Sequence, residues 1–258
     1  MSTVAIPSRV APIRIMRQEE AAPTALKTLC SSCHLRDLCL PCGMQEPDVD
    51  RLDSLMFARR RVLAGQTLYR EGDRFQFIYA VRAGTLKSSL MLLDGREQVS
   101  GFHIAGELVG LDGVAQGRHA SATTALEDTE ICAIPYAHLT DLAMGTRSMY
   151  HVISRMMSRE ILREGSLMML LGSMNAEERL AAFLLNLSQR FGARGYSERE
   201  FHLRMSRAEI GSYLGLKLET VSRTFTALQQ EGLLEVEKRH IRITDLDGLK
   251  HRFERRVH

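Results

Sequence analysis

Nine glycines fall between residues 65 and 117: Gly65, Gly72, Gly84, Gly95, Gly101, Gly106, Gly110, Gly113 and Gly117. Short apolar pieces lie between them, among them residues 77–81 and 98–102. Glycine tolerates the positive φ that tight turns need. Many short strands with closely spaced turns read as a sandwich, roll or barrel, so residues 48–145 are expected to be all-β.

Past residue 146 the texture changes. No proline occurs from there to Leu171, and Gly165 is the only glycine inside that stretch. Ile153, Met157, Ile161, Met168 and Leu171 recur at helical spacing, with Glu164 filling the one gap. The spacing predicts one long helix over 146–172. Its stripe fits a dimer seam or packing on its own β-domain equally well.

Residues 173–258 read as three helices followed by a small hairpin. Leu180, Phe183, Leu184, Leu187 and Phe191 share one face of the first. Ser206 and Glu209 have the spacing of a capping box. Ile210 and Leu214 point inward from the second helix, Gly211 suits a close helix approach, and Gly215 suits a left-handed turn. Leu216 plugs the turn, and Val221 anchors a third helix that starts near Leu218. This is helix-turn-helix grammar. Glu219, Ser222 and Arg223 sit near the end of the third helix that enters a major groove. Arg223 can donate two bonds to guanine, Glu219 can accept from cytosine N4, and Ser222 can bond either base type. The expected hairpin carries a basic tip, Lys238-Arg239-His240.

Charge agrees with that placement. Residues 173–258 hold 15 Lys and Arg against 12 Asp and Glu, while the remainder balances at 19 of each. The whole excess of +3 therefore lies beside the helix-turn-helix, where double-stranded DNA is the expected partner. At 258 residues the chain can bury a core without disulfides. Its 45% hydrophobic and 25% charged residues exclude collagen-like, disordered and disulfide-scaffold classes. No apolar run suits a membrane span. Residues 1–29 read as a tail without the apolar stretch of a secretory signal, so a cytoplasmic location is expected.

Four of the five cysteines fall within thirteen residues: Cys30, Cys33, Cys39 and Cys42. Cys132 lies far away, in a strand-like piece. Clustered thiols in a cytosolic chain suggest metal or redox chemistry. A compact zinc site on Cys30, Cys33, Cys39 and Cys42 and an iron–sulfur cluster on four of the five are even on spacing alone. Haem attachment at Cys30-Ser31-Ser32-Cys33-His34 leaves Cys39 unexplained, and four free thiols this close are disfavoured.

Four features together resemble the cAMP receptor protein/FNR superfamily, and within it the oxygen-responsive FNR type. They are Cys30, Cys33 and Cys39 at their spacing; Cys132 followed by Ile134-Pro135; Gly101-Phe102-His103 with residues 105–110; and residues 219–223. The resemblance covers about residues 28–250. It implies an α+β chain with a cysteine segment (30–47), a double-stranded β-helix or jelly-roll sensor (48–145), a dimerisation helix (146–172) and a winged helix-turn-helix (173–258). It implies a [4Fe–4S] cluster on Cys30, Cys33, Cys39 and Cys132, leaving Cys42 as an extra thiol. It further implies a homodimer, RNA polymerase as partner, and an inverted repeat of a TTGAT-like half-site. Leu218 stands where nucleotide-binding relatives carry an arginine.

Those relatives use a Gly-Glu and a later Arg-Ser or Arg-Thr to hold ribose and phosphate. Here Gly106-Glu107 is present, but Arg118-His119-Ala120-Ser121 breaks the second half. Cyclic-nucleotide sensing with a structural zinc is thus the alternative within the superfamily. A redox or electron-transfer protein is the alternative outside it, but no dinucleotide fingerprint or nucleophile–base set supports an enzyme. His103, beside Phe102, reads as a packed strand residue rather than a base.

Overall fold

The computed structural model describes the backbone of residues 27–55, 57–145 and 147–254. The expected tail lies outside the described residues as far as residue 26. The first described element is β1 (Lys27–Thr28), which pairs antiparallel with β2 (Phe57–Val62). Between them runs α1 (Glu46–Asp53). The chain continues through β3 (Thr67–Tyr69), β4 (Phe77–Ala83), β5 (Thr85–Met91), β6 (Glu97–Ile104), β7 (Leu108–Val109), β8 (Ala122–Ala125) and β9 (Thr129–Pro135). These strands form two sheets, in the orders β1-β2-β9-β4-β7 and β3-β8-β5-β6. The two sheets make a β-roll.

Strand alternation decides which way β9 sends its side chains. Ile131 and Ala133 point between the sheets, joining Val81, Leu86 and Val109. Cys132 and Ile134 point the other way, onto a face covered by α1, α2 (Tyr136–Gly145) and α3 (Arg147–Ser173). Val49, Leu52, Leu139, Met149 and Val152 complete that second core. Helices α1 and α2 were not anticipated. Each is short, and proline opens the first.

Helix α3 buries Met149, Val152 and Met156 in its first half. Its second half leaves the core. Ile161, Leu162, Met168 and Met169 are 71%, 67%, 70% and 63% exposed. Four large apolar side chains bared along one helix are more than a folded monomer usually presents.

The C-terminal unit begins with α4 (Ala176–Gly192), capped by Asn175 and Glu178 in a reciprocal capping box. It continues through β10 (Glu200–His202), α5 (Arg207–Leu214), α6 (Leu218–Gln230), β11 (Leu234–Glu237), β12 (His240–Ile243) and α7 (Leu246–Glu254). Here the sequence reading needs correction. A third strand, β10, joins the hairpin as β10-β12-β11, and α7 packs on α4. β10 has one buried residue, Phe201, so it carries no readable alternation.

The unit docks on its own β-roll. The Val99 amide donates to Ser212 Oγ at 2.9 Å, and Lys87 reaches both Glu97 and Glu209. Glu107, in the β6–β7 turn, accepts from Arg190 of α4 and from Arg194 just past its end. Val99 and Phe102 belong to the same core as Leu184, Leu214 and Val221.

Candidate metal centre and nucleic-acid interface

Residues 30–44 form linked turns. Cys33 N donates to Cys30 O, Cys39 N to Leu35 O, and Cys42 N to Cys39 O. Leu35 and Leu40, 6% and 2% exposed, anchor the segment. The Asp53 carboxylate, at the end of α1, accepts from the amides of Cys30 and Ser31. Cys30 and Cys39 pack against the helix-covered core that contains Cys132. Strand alternation and the turn anchors therefore bring a distant thiol to the clustered ones.

Electrostatics show the same grouping. Burial raises the Cys30 thiol, and Cys39, Asp53, Cys132 and Cys33 add to it. Burial pushes Cys39 up to about 12, with Cys132, Cys33 and Cys42 contributing. Thiols ligate metal as thiolates, so ligand binding here must expel protons. Arg82 Nη1 donates to Cys33 Sγ at 3.7 Å. Among the described residues, no three His, Cys, Asp or Glu side chains converge on a single metal-ion position. The donor set is all sulfur, which suits zinc or iron–sulfur chemistry.

Cys42 sits apart in one respect. Its carbonyl accepts from Arg155 and its sulfur from Arg159, both on α3. Sequence reasoning missed Asp53, Arg82, Arg155 and Arg159. Nothing in their spacing marks them, because each acts through a long-range contact.

The stripe divides along α3. Ile153 packs against the helix-covered core, Met157 and Leu171 are half-buried, and Ile161 and Met168 are exposed. Glu164 is half exposed, with its carboxylate 3.8 Å from Arg163. Leu162 and Met169 are exposed as well, but at about 100° per residue they lie on another side of the helix from that stripe. A cavity of about 710 Å³ lies between α3, α4 and the β6–β7 turn, and Leu38 and Cys39 form part of its wall.

The residues of the nucleotide reading are engaged internally. Glu107 is held by two arginines, and Arg118 donates to Gly72 O at 2.7 Å. The amides of Ala120 and Ser121 both donate to Asp112 at 2.9 Å, and Ser121 Oγ does so at 2.8 Å. His119 pairs with the same carboxylate and stacks on Tyr69. His103 is a buried strand residue, 3% exposed, between Ser88 and Arg163.

In the C-terminal unit, Ser206 and Glu209 form the capping box of α5. Gly215 ends that helix at φ 63°. A Cβ on Gly211 would lie 2.6 Å from Leu216 O, so only glycine permits this crossing. Ile210, Leu214 and Val221 are fully buried. Glu219, Ser222 and Arg223 are exposed along the first half of α6. Arg207 covers the Phe225 ring at 3.4 Å, and burial brings its guanidinium down to about 10. The β11–β12 turn carries Lys238 at φ 56°, beside Arg239.

A β-roll joined through a long helix to a winged helix-turn-helix defines a DNA-binding transcription regulator. Residues 178–252 match the Crp-like helix-turn-helix domain, and residues 59–145 match the cyclic nucleotide-binding domain. The chain is 42% identical over 236 residues to the fumarate and nitrate reduction regulatory protein of Escherichia coli, covering 92% of this chain and 94% of that one. It is 48% identical over 221 residues to the transcriptional regulatory protein btr of Bordetella pertussis, covering 86% and 91%. The solved structure of FixK2 from Bradyrhizobium japonicum superposes with a TM-score of 0.70 at 30% identity, covering 76% of this chain and 97% of that one. The chain belongs to the Crp/FNR family of transcription regulators and is of the FNR type. The family's members are regulators, not enzymes. Among the described residues no helix is long and apolar enough to cross a membrane.

Proposed function

We propose that this regulator responds to oxygen through a [4Fe–4S] cluster held by Cys30, Cys33, Cys39 and Cys132. The observation that carries the reading is the direction of Cys132. It leaves β9 on the helix-covered face and joins the core against which Cys30 and Cys39 pack. A compact zinc site on Cys30, Cys33, Cys39 and Cys42 would leave Cys132 without a use, and the Cys42 sulfur is already engaged by Arg159. The E. coli relative's name, a fumarate and nitrate reduction regulator, agrees with a role without oxygen.

When bound, the cluster supplies an oxygen-labile crosslink between the cysteine segment and β9. The chain's own residues do the rest. Asp53 fixes the backbone at Cys30, Arg82 holds the Cys33 sulfur, and Leu35 and Leu40 seat the turns. Seating the segment places α3, whose Ile153, Met157, Ile161, Met168 and Leu171 form the homodimer seam. Glu164 brings like charges toward each other across that seam and opposes pairing. In the dimer two α6 helices enter successive major grooves, about 34 Å apart. Glu219, Ser222 and Arg223 read each half of a TTGAT-like inverted repeat. RNA polymerase is the further partner, and the cytoplasm the site of action. Segment 30–47, sensor 48–145, helix 146–172 and reader 173–258 are the working units.

The test is a pair of substitutions in protein prepared without air. Cys42→Ser keeps the visible chromophore, and Cys132→Ser loses it. An intact chromophore in the Cys132 variant overturns the ligand set. The match to the cyclic nucleotide-binding domain favours a second reading, nucleotide sensing. Against it, Glu107 is engaged by Arg190 and Arg194, and Arg118 by the Gly72 carbonyl. Saturable cAMP binding to metal-free protein would restore that reading.

A further inference from the structure

Cys42 has no place in the proposed ligand set, yet its turn touches α3 twice. Arg155 Nη1 donates to the Cys42 carbonyl at 2.7 Å, and Arg159 Nη2 to Cys42 Sγ at 3.8 Å. The two arginines are four residues apart, so one helix face presents both. The next residue, Gly43, sits at φ 75°, and a Cβ there would lie 2.6 Å from Arg155 Nη1. The turn is bare where the guanidinium covers it. On its other side it is tied to a proposed ligand, because Cys42 N donates to Cys39 O at 3.1 Å.

The position of this contact on α3 matters. At roughly 100° per residue, Arg155 and Arg159 lie nearly opposite the stripe of Ile153, Met157, Ile161 and Met168. A contact there does not obstruct pairing. It bears on the back of the surface that pairs, and Arg159 also lines the cavity wall beside Cys39.

We infer that Arg155 and Arg159 are positioning residues that clasp the Cys42–Gly43 turn and set where α3 presents its stripe to a second copy. The inference rests on the cluster reading above. A seated Cys39 holds the turn, the turn holds the two guanidinium groups, and they fix the height and rotation of the helix. When the segment is released, the carbonyl and sulfur leave their donors and the helix loses that restraint. Cys132 then connects the segment to the β-roll, and Cys42 connects it to the dimer helix. This gives the fifth cysteine's position a use independent of metal ligation.

The test uses the full chain prepared without air, as wild type, Arg155→Ala and Arg155→Lys. Iron and acid-labile sulfide are counted, the visible spectrum recorded, and dimerisation measured by sedimentation velocity before and after air. The inference predicts wild-type iron, sulfide and spectrum for Arg155→Ala, with dimerisation weakened about five- to tenfold, as expected for losing one charge-assisted hydrogen bond. Lysine recovers part of the loss. After air, wild type and variant dimerise equally weakly. Unchanged dimerisation at full iron overturns the clasp. So does a weakening that persists equally after air, which marks a purely structural role, or iron loss in the variant, which marks a role in holding the cluster. Wild-type protein without iron fails the cluster reading itself, and the clasp falls with it for lack of a signal.

Discussion

Replacing Glu107 with glutamine tests how the reader unit is held to the β-roll. The carboxylate accepts from Arg190 Nη2 at 2.6 Å, Arg190 Nε at 2.9 Å and Arg194 Nη2 at 2.8 Å. Its side chain is 24% exposed, whereas that of Arg194 is 7% exposed. Burial, with the Arg190 charge adding to it, lowers the Arg194 pKa even with Glu107 raising it. The buried cation is therefore the strained partner, and Glu107 is what makes it tolerable. Removing one partner of a fully buried pair costs about 3–5 kcal/mol. Partial exposure of Glu107, and the acceptor oxygen that glutamine keeps, reduce this to about 2 kcal/mol. Adding Arg194→Met removes the stranded charge, so the double variant should recover about 1 kcal/mol of the loss. The assay is urea unfolding of metal-free protein at neutral pH. Tyrosine fluorescence serves as the probe, because the chain has no tryptophan and Tyr213, beside Phe183 in its own unit, packs on Phe102 across this interface. A single-variant cost below about 0.5 kcal/mol, within the range of ordinary surface changes, refutes the reasoning. So does a double variant as unstable as the two single losses summed.

Four other outcomes are expected. Burial, then Arg163 and Arg190, hold His103 well below the usual histidine range, so it is neutral when folded and takes up a proton on unfolding below about pH 6.5. Stability should fall with pH below that point by up to about 1.4 kcal/mol per unit, and His103→Gln should flatten the slope; equal slopes in urea titrations at several pH values contradict this. Arg223→Ala should cost about 1–3 kcal/mol of DNA affinity and relax the preference at one guanine, which a panel of single-base operator variants checks by competition binding. Gly211→Val should cost about 1–3 kcal/mol and abolish operator binding, because its Cβ meets the Leu216 carbonyl; thermal unfolding and gel shift read both. Glu164→Ala should dimerise in air, and a monomeric sedimentation profile for that variant removes Glu164 as the brake.

The sequence made the helix-turn-helix legible because its constraints are local. The capping box at Ser206 and Glu209, the left-handed Gly215 and the close approach at Gly211 are each set by residues a few positions apart. The β-roll was legible through its glycines, and α3 through its unbroken run. The helices α1, α2 and α7 and the strand β10 were not. Their apolar residues are few, and long-range packing decides their state, as with Phe201 in β10 and Leu249 in α7. The site divides along the same line. Thiol spacing identified the cysteine segment, but the direction of Cys132 depends on the register of β9. Asp53, Arg82, Arg155 and Arg159 meet the segment only after the chain has folded. The nucleotide reading is instructive in reverse. Gly106-Glu107 looked like half of a ribose site, and the structure commits Glu107 to Arg190 and Arg194 instead.

The central claim is that the cysteines carry an oxygen-labile signal that reaches the dimer helix. Its most direct test is protein prepared without air, assayed for iron, acid-labile sulfide and zinc, then exposed to air while spectrum, dimerisation and operator affinity are followed together. The account predicts about four irons and four sulfides per chain, and a chromophore that bleaches as dimer and affinity fall. About one zinc per chain, indifferent to air, contradicts it, leaving the cysteines as a structural clip.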